Sequence, residues 1–117
     1  MSTETLAPDA ADMKAKVGEA SAFLKTLANP DRLLVACALV DGEHSVGELE
    51  DMLGIRQPGL SQQLAGLRAA GLITGRKDGK QVFYRLADPR VETFITTMHG
   101  LFCAPNAPKA DVRETSS

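Results

Sequence analysis

The residues of this 117-residue chain that could do chemistry of their own are two cysteines and a histidine. Cys37 lies within an apolar stretch, and Cys103 follows 66 positions later, four residues after His99. Thiolates are nucleophiles, and thiolates and imidazoles are good ligands for zinc-like metal ions. Because His99 and Cys103 would share one helix face, the three residues are a candidate metal site. The more ordinary interpretation makes Cys37 a small buried hydrophobe and Cys103 a thiol without a role.

The sequence contains no other pattern typical of catalysis. It lacks a Cys-x-x-Cys pair, a glycine-rich phosphate loop and a Cys/His/Asp set suited to a cleft. Two cysteines are also too few for a disulfide scaffold. We therefore expect neither an enzyme nor a bound cofactor.

The charge of the chain is unevenly distributed. Its formal net charge is −2, but residues 56–85 carry six cations against the single anion Asp78, and the remainder carries a net −7. A basic middle in an acidic chain is typical of a local site for a polyanion such as DNA, although a solvated basic surface would look the same.

Length and composition favour one compact domain. The chain is 44% hydrophobic and 24% charged, and we expect a folded domain over residues 12–104 between flexible tails at 1–11 and 105–117. The longest apolar run, over residues 33–40, is far shorter than the roughly 18 residues of a membrane span. The acidic, polar start of the chain does not resemble a signal peptide, so we expect a cytoplasmic protein that does not contact membranes.

Apolar periodicity and caps predict five helices and one hairpin, in the order ααααβ-hairpin-α. Helices are expected at 12–28, from Pro30 to Val40, after a Ser45/Glu48 capping box, after Gln57-Pro58, and at 88–103. The second of these is apolar all round, as in a central buried helix. Asp78-Gly79 predicts a two-residue turn that would place Lys77 opposite Lys80.

The predicted fold is a winged helix-turn-helix, mainly α with a β-hairpin wing. Its two short helices would be joined by residues 53–55, and the second would be the recognition helix. Its stripe of leucines would face inward, leaving a small, uncharged outer face able to enter a DNA groove. The candidate DNA contacts are Arg56, Gln57, Ser61, Gln62, Arg68, Arg76, Lys77 and Lys80. A basic edge that only prevents sheet aggregation, or a winged helix used for protein contacts, remains the alternative.

Residues 22–87 resemble the ArsR/SmtB family of repressors. The resemblance lies in three segments: Ala22-Phe-Leu-Lys-Thr-Leu-Ala-Asn-Pro-Asp-Arg-Leu33, Gly59-Leu-Ser-Gln-Gln-Leu-Ala-Gly-Leu-Arg-Ala-Ala-Gly-Leu-Ile73 and Gly79-Lys-Gln-Val-Phe-Tyr-Arg-Leu86. It implies a homodimer joined by the first and last helices, which binds a palindromic operator in double-stranded DNA and releases it when an inducer arrives. The apolar stripes over 13–27 and 91–102 agree, although packing within one chain explains them equally well.

Two metal sites familiar in that family are absent from this sequence. The stretch that carries Cys-x-Cys in one type of member is Glu43-His-Ser-Val-Gly-Glu48 here. In the last helix, Arg90 stands in a position that a metal-binding member fills with histidine, and His99 falls at the wrong spacing for the second histidine. We therefore expect no metal at either place.

The placement of the two cysteines is similar to the persulfide-responsive SqrR/BigR (HlyU-like) subgroup of the family. The resemblance implies that Cys37 and Cys103 sense reactive sulfur species by becoming linked through a di- or polysulfide, which lowers DNA affinity. Thiolate attack on sulfane sulfur followed by exchange with the second thiol would form such a link. A metal or metalloid sensor using Cys37, Cys103 and His99, and a general oxidant sensor, remain the alternatives.

Overall fold

The computed structural model describes residues 10–103, which form five helices and a three-stranded sheet. The order of elements is the predicted one with a short additional strand. The elements are α1 (Ala10–Leu27), α2 (Pro30–Val40), β1 (His44–Ser45), α3 (Val46–Leu53), α4 (Gly59–Ala69), β2 (Ile73–Asp78), β3 (Gln81–Leu86) and α5 (Pro89–Phe102). The winged helix-turn-helix prediction is confirmed, and the connection between α3 and α4 spans residues 54–58, longer than expected.

Local side chains set where most helices begin. Asn29 Oδ1 accepts hydrogen bonds from the backbone N–H groups of Asp31 and Arg32, and Asp88 caps α5 in the same way. The predicted capping box of α3 is present: Ser45 Oγ accepts from Glu48 N–H, while the Glu48 carboxylate accepts from Ser45 N–H. These bonds satisfy donors that the first helical turn leaves unpaired, which is why the sequence signals were reliable.

Strand β1 joins the helix-turn-helix to the wing. The sheet order is β1-β3-β2, and β1 pairs antiparallel with β3 through His44 with Tyr84 and Ser45 with Phe83. The sequence analysis missed this strand because two residues are too few to show an alternating pattern. Since Ser45 also caps α3, the first helix of the helix-turn-helix is anchored directly to the sheet.

The turn of the wing lies one residue further along than predicted. Asp78 pairs with Gln81 and Lys77 pairs with Val82, so Gly79 and Lys80 form the turn and the prediction that Lys77 faces Lys80 is wrong. Gly79 takes the first turn position with φ +65°, a conformation that costs glycine little and other residues more. Placing glycine first therefore moves the register by one residue relative to an Asp-Gly turn.

The core lies between α2, α3, α4, α5 and the sheet. Its fully buried large side chains are Leu39, Leu49, Leu60, Leu67, Val35 and Val91. The expectation that α2 is buried all round is wrong, because Leu34 is 46% exposed and Cys37 is only partly buried. One side of this helix therefore borders solvent.

The first helix begins before residue 12, the predicted start of the domain. Residues 10 and 11 belong to α1 rather than to a tail, because the helix begins at Ala10. The remainder of the tails expected at 1–11 and 105–117 lies outside the described residues. Within residues 10–103, no helix combines the length and the hydropathy that crossing a bilayer requires.

Candidate DNA-binding surface and thiol pocket

Helix α4 exposes the polar face that the sequence predicted. Leu60, Leu64 and Leu67 are buried, whereas Ser61 and Gln62 on the other side are exposed. Gln57 Oε1 accepts hydrogen bonds from Ser61 N–H at 3.0 Å and from Ser61 Oγ at 2.6 Å. Gln57 therefore holds the first turn of α4 through its side-chain oxygen, which leaves its amide NH₂ to donate and the Ser61 oxygen to act only as an acceptor. Arg56 is exposed just before this helix, beside a surface depression that includes Glu50 and Asp51.

A groove separates the recognition helix from the wing. Its volume is about 370 Å³, and it is lined by Arg68, Thr74, Gly75, Arg76, Lys77, Val82 and Tyr84. Lys77 lies on the same sheet face as Tyr84, because residues two apart along a strand share a face. Lys77 and Lys80 are exposed and form no ion pair within residues 10–103, so both ammonium groups are free to meet phosphates.

Arg68 holds the wing against α4. Its Nη1 donates a hydrogen bond to the Tyr84 hydroxyl at 3.2 Å. The Tyr84 ring covers Gly75, where a Cβ atom would lie 2.7 Å from the ring, so this approach requires glycine. The prediction that Arg68 contacts phosphate is untested, and in the structure its side chain links α4 to the wing.

Arg76 is engaged within the protein. Its Nε and Nη2 donate hydrogen bonds of 2.9 and 2.7 Å to the two carboxylate oxygens of Glu43. Its guanidinium lies 4.8 Å from the centre of the Phe83 ring, and Nη1 is 3.7 Å from a carboxylate oxygen of Asp78. The hydrogen bonds with Glu43 raise the pKa of Arg76 and lower the pKa of Glu43.

Cys37 and Cys103 line one pocket between α2 and α5. The cavity has a volume of about 340 Å³ and is lined by Cys37, Val40, Asp41, Ile95, Thr96, Met98, His99 and Cys103. Both cysteines are free thiols that stand apart rather than forming a bond. Cys37 is partly buried on α2, and Cys103 is exposed at the end of α5, where its N–H bonds to the carbonyl of His99.

The two thiols have different environments. Burial raises the pKa of Cys37, and the negative charge of a Cys103 thiolate raises it further. Burial therefore disfavours the Cys37 thiolate, and Cys37 is harder to reach from solvent than Cys103. The pocket therefore combines one sheltered and one accessible sulfur.

A metal site does not form from these residues in this structure. Although His99 lines the pocket with both cysteines, no three His, Cys, Asp or Glu side chains within residues 10–103 are grouped so as to hold a metal ion. The candidate set of Cys37, His99 and Cys103 is therefore not assembled as three ligands around one point.

Three residues at these sites were missed by the sequence analysis. Glu43, Gly75 and Tyr84 hold the wing through contacts between distant parts of the chain. The contact between Glu43 and Arg76 spans 33 positions, and no local pattern indicates it. Gly75, just before the predicted turn, was the one available signal, since a glycine inside a strand often marks a close approach.

Comparisons with known proteins agree with this architecture. A sequence profile described as "Bacterial regulatory protein, arsR family" matches residues 29–74. The chain is 52% identical to the biofilm growth-associated repressor of Agrobacterium fabrum over 93 residues, covering 80% of each protein. It also resembles the crystal structure of the transcriptional repressor BigR from Xylella fastidiosa, with TM-score 0.77 and 44% identity, over 83% of this chain and 99% of that one.

A second solved structure is similar to the same extent. Reduced HlyU from Vibrio cholerae has TM-score 0.76 and 42% identity, over 80% of this chain and 98% of that one. Identity at this level over most of both chains exceeds what a shared fold alone would require. This chain belongs to the ArsR family of bacterial regulatory proteins and has the winged helix-turn-helix fold.

Proposed function

We propose that this protein is a homodimeric transcriptional repressor that binds a palindromic operator in double-stranded DNA. In this proposal, Cys37 and Cys103 sense sulfide-derived persulfides by forming an intramolecular di- or polysulfide link, and the linked protein releases DNA. The observation that carries the sensing step is the shared pocket, which both cysteines line. The similarity to two proteins named as repressors supports the direction of regulation.

Operator binding is supported by the surface that α4 and the wing present. The outer face of α4 offers Gln62 to base edges or phosphates and the Ser61 oxygen to donors on base edges, and Lys77 and Lys80 provide unpaired positive charge on the adjacent wing. The groove lies between the outer face of α4, which is suited to reading bases, and the lysines of the wing, which are suited to holding phosphates.

Dimerisation is supported by apolar side chains that one chain leaves uncovered. On α1, Val17 is 61% exposed and Leu24 is 49% exposed, and on α5 Phe102 is 79% exposed. Apolar residues in such numbers at two ends of one small domain are typical of a surface that a second copy covers. A dimer would also place two recognition helices for two operator half-sites.

The proposed chemistry consumes the inducer and balances in atoms and electrons. The Cys103 thiolate attacks the sulfane sulfur of a persulfide RSSH and expels the thiolate RS⁻, leaving a persulfide on Cys103. The Cys37 thiolate then attacks the inner sulfur, Cys103 Sγ. This attack closes a disulfide and expels the outer sulfur as hydrosulfide. When both cysteines are first persulfidated, the outer sulfur of one attacks the inner sulfur of the other and closes a trisulfide. The trisulfide route consumes two RSSH and yields two RSH and one H₂S.

The position of the pocket connects this chemistry to DNA binding. Cys37 lies on α2, which packs in the core, whereas Cys103 ends the helix that carries Leu101 and Phe102. A link between the two sulfurs draws the end of α5 towards α2 and displaces those apolar side chains. If α5 forms the dimer interface, this movement changes the spacing of the two recognition helices. An allosteric mechanism requires such an element with two arrangements, one that binds DNA and one that does not.

The proposal is tested by measuring intact mass and DNA binding on the same samples. The reduced protein selects a duplex from a random-sequence library and is then treated with a persulfide donor or, separately, with peroxide. We expect the donor to add sulfur bridging Cys37 and Cys103 within one chain and to release the duplex. Cys37→Ser and Cys103→Ser should keep DNA affinity but lose the response, and either variant releasing DNA normally would contradict the mechanism.

Two further outcomes would assign a different inducer to the protein. A plain disulfide formed equally well by peroxide would make the protein a general oxidant sensor. Tight zinc binding to the reduced protein, with release of DNA and loss of both effects in His99→Ala, would favour a metal sensor. Under the present proposal His99→Ala is a matched control, because it alters the same pocket without removing a thiol.

A further inference from the structure

Arg76 crosses the sheet to meet a residue near its opposite edge. Arg76 lies on β2 and pairs in register with Phe83 on β3, which in turn pairs with Ser45 on β1. Glu43 immediately precedes β1, and its carboxylate receives two hydrogen bonds from the Arg76 guanidinium. The guanidinium lies over the Phe83 ring between the two outer strands. The pair thus connects all three strands on one face.

One hydrogen-bonding edge of this guanidinium is already in use, and the other lies beside a carboxylate. The Nε/Nη2 edge that recognises carboxylates and phosphates in a bidentate manner is bonded to Glu43. The remaining edge faces Asp78, whose carboxylate is 3.7 Å from Nη1 and would repel a phosphate. Lys77 and Lys80 on the same wing have no such partners within the described chain.

Strand alternation also turns Arg76 away from the recognition helix. Gly75, Lys77 and Tyr84 share the face that meets α4 through the Arg68–Tyr84 hydrogen bond. Arg76 lies on the opposite face. Arg76 and Lys77 both line the groove that we assign to DNA, but the Arg76 guanidinium is bonded to Glu43, whereas the Lys77 ammonium has no partner within residues 10–103.

We propose that the Glu43–Arg76 pair sets the position of the wing relative to the helix-turn-helix, and that Arg76 is a positioning residue rather than a phosphate contact. Glu43 lies three residues before the start of α3, so the pair ties the wing to the first helix of the DNA-binding unit. Arg68 and Tyr84 hold the other face of the wing against α4. This inference rests on the proposed DNA binding and names two residues that govern its geometry.

The pair is exposed, which separates its effect on DNA binding from an effect on folding. The Arg76 side chain is 53% exposed, and exposed ion pairs contribute little to the stability of a fold. Removing either partner should therefore shift thermal unfolding only slightly but let the wing shift. Selective binding should weaken, because contacts made together by α4 and the wing need a fixed separation.

The test compares four variants for two duplexes over a range of salt concentrations. The probes are a duplex selected by the reduced wild-type chain from a random library and an unselected random duplex. We expect Glu43→Gln and Arg76→Gln each to lower affinity for the selected duplex about fivefold, the scale of one exposed charge-assisted pair. Binding to the random duplex and the salt dependence should not change. The charge exchange Glu43→Arg with Arg76→Glu should restore most of the selected binding.

Arg85→Gln is the matched control. Arg85 is an exposed cation on the same sheet face as Arg76, and its side chain forms no hydrogen bond or ion pair within residues 10–103, so it acts on Glu43 through charge alone. Its loss should leave selected binding near the wild-type value. If Arg85→Gln weakened binding as much as Arg76→Gln, the effect would be one of general charge and the inference would be wrong.

Other results would also overturn the inference. A flatter salt dependence by about one unit in Arg76→Gln, without rescue by the charge exchange, would make Arg76 a phosphate contact. Tighter binding in Glu43→Gln would show that Glu43 competes with DNA, and unchanged binding in all variants would remove the pair from the mechanism. A wild-type chain that selected no duplex would instead refute the proposed function as well.

Discussion

Helices α4 and α1 both carry an apolar stripe, but the chain covers only one of the two. The leucines of α4 at 60, 64 and 67 are all buried, so this helix is held by its own chain. Of the α1 stripe only Leu27 is buried, while Met13, Val17 and Leu24 are about half exposed or more. The same kind of sequence pattern is therefore buried in one helix and exposed in the other.

The difference divides the molecule into two regions that differ in packing and in the groups they expose. The region of α3, α4 and the wing completes its packing internally and presents polar and cationic groups outward. The region of α1, the exposed side of α2 and the end of α5 leaves apolar groups uncovered and contains the thiol pocket. In the proposed function, the first region would bind DNA, which needs a rigid support, and the second would respond to an inducer, which needs a packing arrangement that can change.

The largest expected effect contrasts the two helices directly. Leu64→Ala removes a buried side chain and should lower the free energy of unfolding by about 2–5 kcal/mol. Leu24→Ala makes the same change on α1 and should cost less than about 1 kcal/mol in dilute monomer, because Leu24 is half exposed. Denaturant unfolding followed by circular dichroism measures both values.

The control for this comparison is protein concentration. At concentrations where the wild type is dimeric, Leu24→Ala should weaken self-association in sedimentation experiments. There it should also lower the free energy of unfolding by more than it does in dilute monomer. If Leu24→Ala cost dilute monomer as much as Leu64→Ala, α1 would be covered within its own chain and the contrast would fail.

A second prediction concerns the cations of the wing. Lys77→Ala combined with Lys80→Ala should weaken DNA binding across sequences and lower the salt slope by about two per chain, because each lysine neutralises one phosphate. Fluorescence anisotropy of a labelled duplex over a salt series measures both quantities. An unchanged slope would remove these lysines from the DNA-binding surface.

Gln62→Ala is the matched control on the recognition helix. Gln62 is exposed and uncharged, so its loss should change which duplex is preferred and leave the salt slope intact. A uniform loss of affinity for every sequence would instead assign Gln62 to a phosphate.

The smallest expected effect lies in the thiol pocket. Because a Cys103 thiolate adds to the effect of burial in raising the pKa of Cys37, Cys103→Ser should lower the pKa of Cys37 while leaving it above its ordinary value. The thiolate is the reactive form, so the pH midpoint for alkylation of Cys37 should move down in the variant. Peptide mapping after alkylation at a series of pH values measures this midpoint, and an unchanged midpoint would show that the two thiols do not influence each other.

The helices were predictable because their signals are local. The capping box at Ser45 and Glu48, the cap at Asn29 and the leucine stripe of α4 each involve residues within one or two turns. Such interactions form whenever the helix forms, whatever lies around it. The hairpin was predictable for the same reason, although its turn was misplaced by one residue.

The wing contacts were not predictable because they depend on register and distant pairing. A shift of one residue at Gly79 moves Lys77 from a position opposite Lys80 to one opposite Val82. Arg76 and Lys77 were both predicted as DNA contacts because they are adjacent cations. In the structure Arg76 lies on the opposite face of the sheet from Lys77 and is bonded to Glu43. Strand alternation makes each face depend on the register, and no local pattern carries that information.

The sequence by itself determined the order of the helices and the hairpin, the inward stripe of α4 and the family resemblance, because these follow from periodicity, caps and short motifs. Only the tertiary structure decided which apolar stripe is covered, which wing cations are free and that Cys37 and Cys103 line one pocket. The physical reason is that packing and ion pairing depend on the neighbours of each side chain in space. Those neighbours come from segments far apart in the chain.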